Sequence, residues 1–283
     1  MRNRVLCVAV VGLLILVVAA PAASAWRPRL RAAIHYANQR QGIVRFAVIG
    51  PGGKLYRHLA YRTAPAASVI KVMFMVAYLR RASVRDRPLN ENDRGLLRPM
   101  IVRSDNDAAT TIANTLGSGP INRLARVARM RNFSYTRPWG LSRTSSRDQA
   151  RFMFRLERYI PRRHERYARY LLSHIVRSQR WGIARVDLDD WRLFFKSGWG
   201  SGTGRVDHQV AFIERGPSRI SVAVLTEYSP SHRYGKRTLK GVMARLLRRL
   251  PENSQPLKPR PIEPASPAHG DSWQSARSIP FPP

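Results

Sequence analysis

AASVIKVMFMVAYL, residues 66–79, is the stretch on which the fold turns. It is apolar nearly all round, which predicts a helix over 66–79 buried on every side. Ser68 and Lys71 stand near its start, three residues apart. That spacing puts both side chains on one helix face, where hydroxyl and amine can touch. Backbone N–H groups and the positive end of the helix dipole at such a start favour an anion. Lys71 is flanked by Val69, Ile70, Val72, Met73 and Phe74. Desolvation there disfavours the ammonium and lowers its pKa. A neutral amine could then take the proton of Ser68. Alone, the pattern also fits a core helix whose lysine reaches out to water.

Working outward, residues 30–41 have helical spacing at Leu30, Ile34 and Tyr36. Val44 to Ile49 reads as a strand. Gly50-Pro51-Gly52-Gly53 is a tight turn, and Leu55 to Tyr61 the returning strand. Beyond the buried helix, helical pieces are expected at 91–102, 107–116, 121–129, 148–159 and 164–179. Strands follow at 191–196, 207–214 and 220–227, and an amphipathic helix at 234–250 closes the series. This order predicts an α+β fold. It has a five-stranded antiparallel sheet, N- and C-terminal helices on one face and an inserted all-helical lobe.

The two ends stand apart from this domain of residues 26–250. Arg2 and Arg4, the apolar run Val5–Ala20 and the small-x-small site Ala23-Ser24-Ala25 form a signal peptide over residues 1–25. The expected location is therefore secreted or extracytoplasmic, with an uncleaved membrane anchor as the alternative. Residues 251–283 are Pro-rich and lack hydrophobic periodicity, as a disordered tail or spacer does. The only cysteine, Cys7, lies in the leader, so the exported domain has no disulfide, thiol nucleophile or thiolate metal site. The histidines show no HExxH or similar spacing, and no metal or other cofactor is expected.

The net charge is +33, and only six of the 50 basic residues are lysines. One reading is attraction to a polyanion; for an exported chain that means an anionic envelope polymer. The other is a solvated surface reflecting a general arginine bias. The arginines are dispersed, with no nucleic-acid-binding motif, so nucleic acid is not an expected partner. The chain is taken as a monomer.

Two further motifs carry chemistry. Ser104-Asp105-Asn106 falls between two helical pieces. Its serine could shuttle a proton, and Asn106 could hold a substrate amide and the lysine. Alone it equally makes a helix N-cap. Lys196-Ser197-Gly198 ends a strand. Lys196 adds positive potential near Ser68, Ser197 can hydrogen-bond a substrate carboxylate, and Gly198 lets a ligand lie along the strand edge. Alone it is a strand entering a glycine-rich turn.

Taken together, SxxK, SDN and K[ST]G in this order and setting resemble the class A β-lactamase-like serine hydrolases, which include penicillin-binding proteins. The resemblance spans residues 26–250. It implies that Ser68 forms an acyl-enzyme, with Lys71 as base or relay. Ser104 would pass a proton to the leaving nitrogen of a β-lactam or a peptidoglycan stem peptide. The backbone N–H groups of Ser68 and Trp199 would form the oxyanion hole. Arg205 stands where some class A enzymes keep an arginine for the substrate carboxylate, or is one arginine among many.

The chain departs from that pattern in the deacylation loop. Class A enzymes carry Glu-x-x-Asn between SDN and KTG, whereas residues 107–156 here contain no glutamate. Glu157 and Glu165 come too late. Asp148 is the nearest carboxylate, and its place after Ser145 also fits a helix cap. Slow β-lactam hydrolysis is therefore expected. A D-alanyl-D-alanine peptidase or penicillin-binding protein is the alternative, and a non-catalytic polyanion-binding envelope protein is a third reading.

Overall fold

The structure, a computed structural model, describes residues 26–251. The expected signal peptide, Cys7 and nearly all of the Pro-rich tail lie outside the described residues. The chain opens with helix α1 (Leu30–Asn38), then strands β1 (Ile43–Ile49), β2 (Leu55–His58) and β3 (Thr63–Pro65). A 3₁₀ turn at Ala67–Ile70 leads into α2 (Lys71–Leu79). The helical lobe follows as α3 (Ala82–Arg85), α4 (Glu91–Arg98), α5 (Asn106–Leu116) and α6 (Ser118–Val127). Then come β4 (Arg143–Ser145), α7 (Ser146–Phe154), α8 (Arg162–Ser173), β5 (Arg192–Gly200), β6 (Val206–Arg215), β7 (Ser218–Glu227) and α9 (His232–Leu246).

The main sheet is antiparallel, in the order β2-β1-β7-β6-β5, so β5 is an edge strand. The α+β architecture with five antiparallel strands is the one expected. α1 and α9 pack on each other and on one face of the sheet. α7 takes the other face, where the Ser221 hydroxyl donates to the Ala150 carbonyl at 2.8 Å. With both faces covered, β6 and β7 are buried over most of their length. That explains apolar runs in place of strict alternation. Phe194 and Phe212 stack at 4.6 Å between centroids on neighbouring strands. Arg169 and Arg219 lie over these rings, at 4.4 Å from Phe194 and 4.2 Å from Phe212. Both arginines bond Glu157 and Glu214, which ties α8 to the sheet.

Three expectations are corrected. The returning strand of the hairpin stops at His58, because Leu59 takes φ +47 and breaks the ladder. Its continuation, β3, pairs instead with β4 in a separate two-stranded sheet. The long helix at 91–102 ends at Arg98, and Pro99–Arg103 forms a single π turn that delivers Ser104. Pro99 has no N–H to continue the α-helical pattern. Lys196-Ser197-Gly198 does not end its strand either: β5 continues through Trp199 to Gly200.

Candidate active site

Ser68 does not open the α-helix. It lies in the 3₁₀ turn before it, and α2 starts at Lys71. Ala67, just before it, takes φ +44, a left-handed conformation costly for a residue with a Cβ. The turn is held from outside. Ala66 N donates to the Ser142 carbonyl at 2.6 Å. His208, fully buried on β6, donates from Nε2 to the Pro65 carbonyl at 2.8 Å and accepts at Nδ1 from Thr226 N at 3.1 Å. These two bonds fix the neutral tautomer, and burial drops His208 to about 4. Ser68 keeps 8% of its surface exposed.

Gly198 packs directly on this turn. A Cβ added there would stand 2.9 Å from the amide nitrogens of both Ser68 and Val69. A β5 residue with any side chain would therefore push the strand off the serine.

Lys71 is fully buried. Its Nζ lies 2.6 Å from the Ser104 carbonyl, 2.8 Å from Asn106 Oδ1, 3.1 Å from the Asp105 carbonyl and 3.3 Å from Ser104 Oγ. Among the described residues no hydrogen bond joins it to Ser68 Oγ. Burial lowers the Lys71 pKa to about 7 against an upward pull from Asp105. Lys196, also buried, donates to Ser104 Oγ at 2.9 Å. Burial first, and then the charge of Lys71, push its pKa well below the usual lysine value. One hydroxyl thus touches two buried amines. Ser104 itself sits at φ +58, held there by the π turn. Asp105 caps α5 through Ala108 N at 2.8 Å.

Ser197 Oγ is buried and accepts from Gln209 Nε2 at 3.0 Å, on the face away from Lys196. The Trp199 side chain lies on that face too, against Trp181 and His232. Arg205 is exposed in the β5–β6 turn. With Trp199, Asp207, Ser231 and His232 it lines a cavity of about 220 Å³ beside the strand end.

Of the carboxylates considered from sequence, none reaches Lys71. Asp148 is fully buried in the first turn of α7 and accepts from Asn132 N and Arg147 Nη1. Burial alone would raise the Glu157 carboxyl, but Arg219 and Arg169 outweigh it and hold it low. What does approach Lys71 is Trp139, with its ring centroid 5.0 Å from Nζ. Its Nε1 donates to Thr110 Oγ1 at 3.1 Å, and its ring stands edge-on to Phe74 at 6.0 Å.

The family model described as "Beta-lactamase enzyme family" matches residues 93–250, more than half of the chain. The chain belongs to the beta-lactamase enzyme family. The matched residues include the Ser104 and Lys196 motifs; Ser68 and Lys71 precede them and join the site through the fold. The structure is similar to the β-lactamase of Sphaerobacter thermophilus, with a TM-score of 0.66 and 22% identity over 76% of this chain and 94% of that one. It resembles an ancestral class A β-lactamase with a TM-score of 0.66 and 17% identity, over 76% and 97% of the two chains. PBP-A gives a TM-score of 0.65 and 15% identity, over 77% and 94%. At these identities the likeness is one of fold. No curated protein matches the chain in sequence.

The main residues missed from sequence are His208 and Trp139. A buried histidine inside a strand carries no pattern of its own. Trp139 lies in a loop whose contacts are all long-range.

Proposed function

We propose that this β-lactamase family member is an exported serine acyl-enzyme hydrolase that takes β-lactams, with Ser68 as nucleophile. The observation that carries the reading is Ser104 Oγ set between the buried amines of Lys71 and Lys196, beside the Ser68 turn. Ser68 Oγ attacks the amide carbonyl, and its proton passes to neutral Lys71. Catalytic hydrogen bonds often tighten only in the complex, so substrate binding would bring Ser68 and Lys71 together. The oxyanion forms against the N–H groups of Ser68 and Trp199. Collapse breaks the C–N bond, and the nitrogen takes a proton through Ser104 Oγ from the protonated Lys71. Asn106 orients Lys71 and the substrate amide. The guanidinium of Arg205 is a donor for a substrate carboxylate, while Ser197 Oγ faces Gln209 on the other side of β5.

Return of the ester to free enzyme needs a water and a base. Residues 133–145 contain no Asp or Glu, so hydrolysis is slow. The same observation favours a second reading, a D-alanyl-D-alanine peptidase or penicillin-binding protein acting on peptidoglycan stems. The charge of +33 adds an anionic envelope polymer as partner. A chromogenic cephalosporin tests the main reading. A Ser68-dependent colour change with slow turnover supports hydrolysis, and a single stoichiometric burst supports the second reading. No colour and no burst from folded protein overturns both.

A further inference from the structure

We infer that the Trp139 ring sets the lifetime of an acyl group on Ser68, by covering the side of Lys71 from which a hydrolytic water would be activated. This rests on the reading of Ser68 as the acylated residue. Hydrolysis requires a water oxygen to attack the ester carbon while its proton passes to a base, and with no carboxylate of the 133–145 segment to serve, the neutral amine of Lys71 is that base. The C–O bond to Ser68 then breaks and the proton returns to Oγ. To give up its proton there, the water must hydrogen-bond to Lys71 Nζ. The four oxygens around Nζ all belong to the Ser104–Asn106 loop. The 133–142 loop brings the Trp139 ring centroid to 5.0 Å from the same nitrogen. A water bound to Nζ on that side would need the volume the ring fills.

The ring is held firmly in this place. Thr110 Oγ1 takes its N–H, Phe74 supports its face edge-on, and the turn Trp139–Leu141 packs against Ala67–Ile70, which carries Ser68. The loop is closed at its base by the Ser134–Arg143 bridge and by Thr136 N donating to Ser142 Oγ at 3.1 Å. With its N–H engaged, Trp139 offers a water neither a donor nor an acceptor. Excluding water from a reactive intermediate protects it from hydrolysis.

The test uses the purified protein loaded with benzylpenicillin, freed of excess ligand and followed by intact mass. The wild type carries a long-lived adduct. Trp139→Phe, which keeps an apolar ring in place, retains that lifetime. Trp139→Ala still forms the adduct but loses it at least about tenfold faster, as an opened water route predicts. A Trp139→Ala adduct that lasts as long as the wild-type one, or longer, overturns the inference. So does a folded Trp139→Ala protein that forms no adduct, since the ring would then serve acylation. If the wild type itself forms no adduct, the acyl-enzyme reading fails first and takes this inference with it.

Discussion

Gly198 lies against Ser68 so closely that one added carbon on the glycine would stand 2.9 Å from the serine amide nitrogen. The strand edge and the Ser68 turn are therefore one unit. Gly198→Ala must either displace β5 or tilt the turn. Acylation by a fluorescent penicillin is expected to fall by about 100-fold, the scale of losing an oxyanion donor. Unfolding curves check that the variant remains folded; a folded variant acylated at the wild-type rate would contradict the contact.

On the proposed reading, Lys71 makes acylation pH-dependent. The base must be the neutral amine, and burial puts its pKa at about 7. The second-order acylation rate should climb as pH rises through 7 and level off above it. Lys71→Ala should lower the plateau rate above pH 7 by about 10²–10⁴ and remove the limb near 7, so that its deficit shrinks as pH falls. A profile with no inflection between pH 6 and 8 would contradict Lys71 as base.

His208 should show in stability rather than in the rate profile. Its folded pKa, about 4, lies below the ordinary value of 6.5. As pH falls, the unfolded chain takes up this proton first, so stability is lost between 6.5 and 4. The loss is about 3 kcal/mol for a shift of this size. Thermal unfolding of His208→Gln between pH 7 and 4 should be flatter than wild type by that amount. At pH 7 the variant should be weaker by about 1–3 kcal/mol, because Pro65 O or Thr226 N loses its partner.

Glu157 holds two arginines against the stacked phenylalanines. Glu157→Gln leaves Arg169 and Arg219 sharing Glu214 alone, and should destabilise the fold by about 1–3 kcal/mol. Penicillin acylation should continue. A variant of wild-type stability but lost acylation would instead place Glu157 in the chemistry.

Much of this was legible in the sequence because it is local. The buried helix, the hairpin and the three late strands announce themselves by apolar runs and turn residues, and their order yields the sheet. The three motifs identify Ser68, Lys71, Ser104 and Lys196, and the fold brings the last three onto one hydroxyl contact. The local rules failed where tertiary contacts decide. β3 is three residues long and exists only because β4 pairs with it. Ser68 sits in a 3₁₀ turn because His208 and Ser142, distant in sequence, pull on Pro65 and Ala66. The motif alone aims Ser197 at a substrate carboxylate, yet alternation along β5 turns it with Trp199 toward Gln209 and α9. Trp139 reaches Lys71 across 68 positions of chain, beyond any periodicity.

The central claim is that Ser68 becomes acylated, and the mass of the protein after exposure to benzylpenicillin tests it most directly. The expected result is a gain of one penicillin on the wild type and none on Ser68→Ala. A folded wild-type protein that gains no mass, or an adduct that persists in Ser68→Ala, would contradict it.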